Sequence, residues 1–258
     1  MTGAAGPAAE TATGSACDGA TGAPREPEPE PEPAPAPEPA PQRLSQWADW
    51  RWLLTDLDEV YRRSSAGGSA IIRSHQKRVR DALGRLMQSN PPFIPRQPES
   101  RPVTAHLPRA LDLAANGPLA SMGRTLSRVA PELAWEYGYD RMPGALASRY
   151  AFAELAGPRG PVASDEVILG LVLFSPGAVY PQHAHEGIEE SYVSLAGAWS
   201  ENDAAVYAPG SLILNRPGQH HRITVGDKAP CLLAYAWIGG ADRLSAPGMR
   251  FGKPPRKA

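Results

Sequence analysis

The chain has 258 residues and is nearly neutral, with 26 Lys and Arg against 27 Asp and Glu. That balance excludes the basic composition of a general nucleic-acid binder and gives no global pull toward an acidic membrane. Its two cysteines, Cys17 in a tail and Cys231 in an apolar run, suggest no disulfide framework and fit a reducing compartment.

The first residues lack a basic segment followed by an apolar run, and no stretch approaches the roughly 18 to 20 apolar residues of a membrane span, so a cytoplasmic protein is expected. Residues 1–43 are rich in Ala, Gly, Thr, Pro and Glu and include the Glu-Pro repeat of 26–33. With little to bury, they predict a disordered, extended acidic tail.

Residues 44–160 read as an α-helical region. Trp47, Trp50, Leu54, Leu57 and Tyr61 recur at helical spacing behind a candidate Ser45 cap, and 70–87 gives a second helix with Val79, Leu83 and Leu86 on one side. A Ser/Gly connector, 64–69, joins them. A Pro-rich stretch, 91–102, leads to further helical pattern over 107–115 and 119–135. Trp47, Trp50 and Trp52 are more aromatic surface than one helix face buries, which suits a homodimer contact. Arg73, Lys77, Arg78 and Arg80 read as a solvated face rather than a DNA-recognition helix.

After Gly160 short apolar and β-branched runs predominate, at 166–174, 192–195, 204–207, 211–214, 221–225 and 231–238, separated by turns such as Ser175-Pro176-Gly177 and Arg216-Pro217-Gly218. They predict a small antiparallel β-barrel or jelly roll over 161–245, followed by a C-terminal tail, 246–258. So small a barrel is expected to carry the preceding helices on its outer face or over its open end. The fold class is therefore mainly β with a helical N-terminal region, α+β overall.

Four of the six histidines fall between 183 and 221. On a strand, His183 and His185 point to one face and offer two imidazoles to one point. A carboxylate and a third imidazole from a neighbouring strand would complete a three-nitrogen, one-oxygen site for a divalent first-row metal with positions left open. Gly177, five residues, His183-x-His185, four residues, Glu190, six residues and Gly197 match the first cupin motif in every spacing. The second motif is partly kept as Gly210 and Pro217-Gly218-x-x-His221, with Val225 where the family usually has Asn. Its spacing selects His221, whereas His220 has the opposite strand parity. Glu189 reads as solvated or as orienting a ligand, and it would replace Glu190 only if the register slipped by one.

Within the cupins, Tyr180-Pro181-Gln182-His183-Ala184-His185, Glu190-Ser191-Tyr192, Arg216-Pro217-Gly218-Gln219-His220-His221 and Leu233-Ala234-Tyr235-Ala236-Trp237 resemble the cupin-type dimethylsulfoniopropionate (DMSP) lyases, in their DddL-like branch. The resemblance covers roughly residues 44–250 and excludes the acidic tail. It implies a divalent metal, Fe, Mn, Co, Ni or Zn, held by His183, His185, Glu190 and His221, with Tyr192 as the base of a β-elimination giving dimethyl sulfide and acrylate. Tyr180, Tyr207 and Tyr235 are rival bases. Tyr180, Trp199, Tyr235 and Trp237 are candidates to hold the sulfonium by cation–π attraction. The donor set also suits an iron-dependent cupin dioxygenase, and a non-catalytic small-molecule-binding cupin is a third reading.

Overall fold

A computed structural model describes residues 42–63, 69–138 and 144–251, with the side chains of 250 and 251 excepted. Nearly all of the expected acidic tail and the 64–69 connector lie outside the described residues.

Helix α1 (Ala48–Arg63) buries Trp50, Leu53, Leu54, Leu57, Val60 and Tyr61, one stripe at the three-and-four spacing of a packed helix. Ser45 does not cap it. Ser45 instead exchanges two hydrogen bonds, of 2.7 and 3.0 Å, with the side chain of Asn90, which ends α2 (Ala70–Ser89) in the left-handed region at φ 47°. The tryptophans are mostly used inside the fold. Trp47 stacks on Phe93 at 4.2 Å and the Trp50 indole donates to Glu132 at 2.7 Å, leaving Trp52 as the exposed one, so the surplus that suggested a dimer shrinks to a single ring.

Helices α3 (Leu107–Ala115) and α4 (Ala120–Val129) follow. The helix expected to reach Trp135 stops at Val129, because Pro131 cannot continue it and the chain turns through a short 3-10 segment, Ala130–Glu132. A single turn, α5 (Gly144–Ala147), precedes the strands.

These are β1 (Tyr150–Gly157), β2 (Val162–Ala163), β3 (Ile168–Phe174), β4 (Val179–His185), β5 (Ile188–Ala196), β6 (Trp199–Glu201), β7 (Val206–Tyr207), β8 (Leu212–Asn215), β9 (His221–Val225) and β10 (Cys231–Gly239). Helix α6 (Ala241–Ser245) and β11 (Met249–Phe251) complete the described chain. The β region therefore starts at 150 rather than 161, and the expected C-terminal tail contributes a strand paired with β4.

Two sheets face each other, ordered β2-β1-β3-β10-β5-β8 and β11-β4-β9-β6-β7. All pairings except β1 with β2 are antiparallel. Period-two alternation gives the first sheet two apolar faces. Leu169, Leu171, Leu173, Val193, Leu195 and Leu232 pack in the core shared with the helices. Val172, Phe174, Tyr192, Leu233 and Tyr235 pack between the sheets. The helical region thus covers the outer face of one sheet and leaves the inter-sheet space to the site. Among the described residues, no helix is long and apolar enough to cross a membrane.

Candidate metal centre and substrate cavity

Three imidazoles come from one sheet and the carboxylate from the other. His183 and His185 lie on β4, His221 opposite His183 on β9, and Glu190 on β5 of the facing sheet. All four are buried, and one ligand atom from each lies within 4.8 Å of the others. The β4–β9 register shifts between Tyr180 and His183. Pro181, which has no N–H to give a ladder, sits in that irregularity, and its carbonyl accepts a 2.9 Å hydrogen bond from His183 Nδ1. Nδ1 of His221 donates likewise to the Gln219 carbonyl at 3.2 Å. Because a carbonyl can only accept, both rings carry their proton on Nδ1 and keep an Nε2 lone pair.

Glu190 is held from the cavity side. The Trp237 indole N–H donates to its Oε1 at 2.7 Å, and the same indole packs against His185 with ring centroids 4.5 Å apart. Oε2 of Glu190 stands 3.0 Å from His221 Nε2 and 3.8 Å from His185 Nε2. Glu190 Oε2, His221 Nε2 and His185 Nδ1 are buried without a hydrogen-bond partner. Buried polar atoms left in that state are costly, and here two of them face the centre of the cluster.

The electrostatics agree. Burial would raise the Glu190 pKa, yet the surrounding imidazoles hold it well below the usual carboxylate range. Burial, reinforced by its neighbour His221, pulls His183 down to about 3, and burial also lowers His185. At His221 burial opposes protonation but the adjoining carboxylate prevails and raises the pKa. An ionised carboxylate oxygen and three imidazoles converging in a buried cluster form a donor set suited to a divalent cation.

Tyr192, two residues beyond Glu190 on the same face of β5, is buried edge-on to Trp199 and to His221. Burial, and then the Glu190 charge, raise its phenol well above the ordinary value. It opens onto a cavity of about 510 Å³ that is also lined by His183, His185, Glu190, Tyr180, Tyr235 and Trp237. Trp199, expected on that surface, does not line it. Its ring lies behind Tyr192 and its indole donates to Ser194 at 2.7 Å. Tyr207 packs on Trp199 away from the cavity. His220 is exposed, and Glu189 points to the helices.

Several lining residues were missed in the sequence. Tyr150, Phe152 and Glu154 line the cavity from β1, and Tyr137 and Met249 border it too. The alternation of Tyr150, Phe152 and Glu154 is the strand signal that would have found three of them. Glu154 accepts the Arg159 backbone N–H at 2.9 Å, and burial raises its pKa.

Facing sheets with three imidazoles and one carboxylate converging between them define a cupin whose donor set could hold a metal ion. The family model described as dimethylsulfoniopropionate lyase matches residues 75–233, and the chain belongs to that family. A putative dimethylsulfoniopropionate lyase, DddL, of Cereibacter sphaeroides is 59% identical over 216 residues, covering 84% of this chain and 93% of that one. In fold, the chain resembles DMSP lyase DddQ from Ruegeria pomeroyi DSS-3, with TM-score 0.56, 20% identity and coverage of 81% of this chain and 99% of that one. A chain from the crystal structures of the DMSP lyases RdDddP and RnDddQII gives TM-score 0.57 at 20% identity, covering 80% and 99%.

Proposed function

We propose that this lyase cleaves dimethylsulfoniopropionate by a metal-dependent β-elimination to dimethyl sulfide and acrylate. The observation that carries the reading is the clustering of His183, His185, Glu190 and His221 beside a cavity that His183, His185, Glu190 and Tyr192 line. The four donors hold one divalent transition metal, and Fe, Mn, Co, Ni and Zn all suit imidazole and carboxylate. An ion held by these four residues would supply positive charge to attract the substrate carboxylate, to stabilise negative charge developing beside it and to favour the phenolate form of Tyr192.

After its own proton has passed to solvent, Tyr192 as the phenolate takes the proton from the carbon next to the carboxylate. The C–H electrons form the new carbon–carbon double bond, and the bond from the next carbon to sulfur breaks with its electron pair leaving on sulfur. The products are acrylate and neutral dimethyl sulfide. Tyr180, Tyr235 and Trp237 present aromatic faces to the sulfonium, each such contact being worth about 0.5 to 2 kcal/mol. Pro181 and Gln219 keep their histidines in the ligating tautomer, and Trp237 orients Glu190. A dioxygenase or a non-catalytic binding protein would share the four donors but give Tyr192 no task.

The test is to follow dimethyl sulfide and acrylate from DMSP with metal-loaded protein and with protein stripped by a chelator. Equal release of both products, lost on stripping and restored by added metal, supports the reading. No release with any of the five metals overturns it.

A further inference from the structure

The outward face of β5 carries a buried polar chain that the elimination does not use. Ser191 and His75 are fully buried. Ser191 Oγ lies 2.7 Å from the Tyr61 hydroxyl of α1 and 2.8 Å from Nε2 of His75 on α2. His75 Nδ1 lies 3.0 Å from Oε2 of Glu189, which Arg78 also engages. The carboxylate can only accept, so His75 carries its proton on Nδ1 and its Nε2 is an acceptor. Ser191 must then donate to Nε2, and Tyr61 to Ser191. Every proton from Tyr61 to Glu189 then has one direction.

Ser191, His75 and Glu189 have the spacing of a nucleophilic triad. The complete burial of Ser191 and His75 denies a substrate access to the hydroxyl, so hydrolysis is not their function. Their position in the fold points elsewhere. The three imidazoles belong to one sheet, and Glu190 is the ligand from the facing sheet. Where β5 sits therefore decides whether Glu190 and Tyr192 meet the imidazoles, and Ser191 stands between these two residues in the strand. A one-residue slip would turn both to the helices. Apolar packing against α1 and α2 is non-directional and tolerates sliding, whereas a buried hydrogen-bond chain is penalised when it is misaligned.

Resting on the metal-centre reading above, we infer that Tyr61, His75 and Ser191 are positioning residues that clamp β5 from behind and set the placement of Glu190 in the metal centre. The helical layer is thereby a working part of the site rather than only a cover.

The experiment titrates Co2+ into wild-type protein, Ser191→Ala, Tyr61→Phe and His75→Gln, reading the dissociation constant and the Co2+ visible absorption alongside Tm. Ser191→Ala is expected to weaken Co2+ binding about tenfold or more and alter the spectrum. Tyr61→Phe keeps the Ser191–His75 bond and should show a smaller change in the same sense. If Ser191→Ala does not fold, Tyr61→Phe carries the test. Co2+ affinity and spectrum unchanged in the folded variants, with Tm alone lowered, would overturn the inference. Wild-type protein that takes up no Co2+ would instead overturn the metal-centre reading, and this inference with it.

Discussion

The ring of Tyr235 lies across the backbone of Gly170, in the space that a Cβ on residue 170 would occupy. The two are register partners on β10 and β3, and the same row continues to Glu154 on one side and Tyr192 on the other. A single missing side chain thus lets a phenol lie flat on the cavity floor.

Gly170→Ala should push that ring into the cavity. Overpacking of this kind costs about 1 to 3 kcal/mol, visible as a lower Tm, and KM for DMSP should rise more than kcat falls. Adding Tyr235→Ala should recover Tm without recovering KM. Thermal melts and steady-state kinetics on the single and double variants check both parts.

Trp237→Phe keeps a partly buried aromatic ring but deletes the N–H that orients Glu190. Loss of such a partner typically weakens metal affinity about 10- to 100-fold. Competition against a chelator of known affinity measures it, and an unchanged affinity would remove Trp237 from the ligand-orienting role.

His75 gives a pH dependence with a definite sign. Burial lowers its pKa, outweighing the lift from Glu189. The unfolded chain protonates this ring near pH 6.5 while the folded protein resists, so the folded pKa is the depressed one. Its contribution to stability is full above about pH 6.5 and declines as pH falls from there toward the lowered folded value. Between about pH 7.5 and 5.5, metal-free wild type should lose more Tm than metal-free His75→Gln. The other histidines are common to both proteins, so the difference isolates His75.

Cys231 is fully buried on β10, and burial pushes its thiol pKa far up. In a Cys17→Ser background, a thiol reagent should find no reactive group in the folded protein and one after denaturation. Rapid modification of the native protein would contradict the described packing of β10.

The site was more legible than the fold around it. His183, His185 and Glu190 share a local spacing, and the Gly-x-x-His spacing together with strand parity separates His221 from the exposed His220. Strand β1 was hidden because its Ala-rich run, 145–157, has helical propensity that pairing with β3 overrides. Ser45 looked like a cap, but its partner Asn90 is distant in sequence. Trp199 sits on a different sheet from Tyr192, so its place behind that ring rather than beside the substrate depends on how the sheets face each other. The chain from Tyr61 to Glu189 joins residues far apart, and neither composition nor periodicity carries such a signal.

The most direct test of the account is the rate of DMSP cleavage by Tyr192→Phe at metal occupancy matched to wild type. Loss of a positioned general base predicts a fall of about 10²- to 10⁴-fold in dimethyl sulfide release with metal binding retained. Release at the wild-type rate would contradict Tyr192 as the base and pass that role to another tyrosine of the cavity.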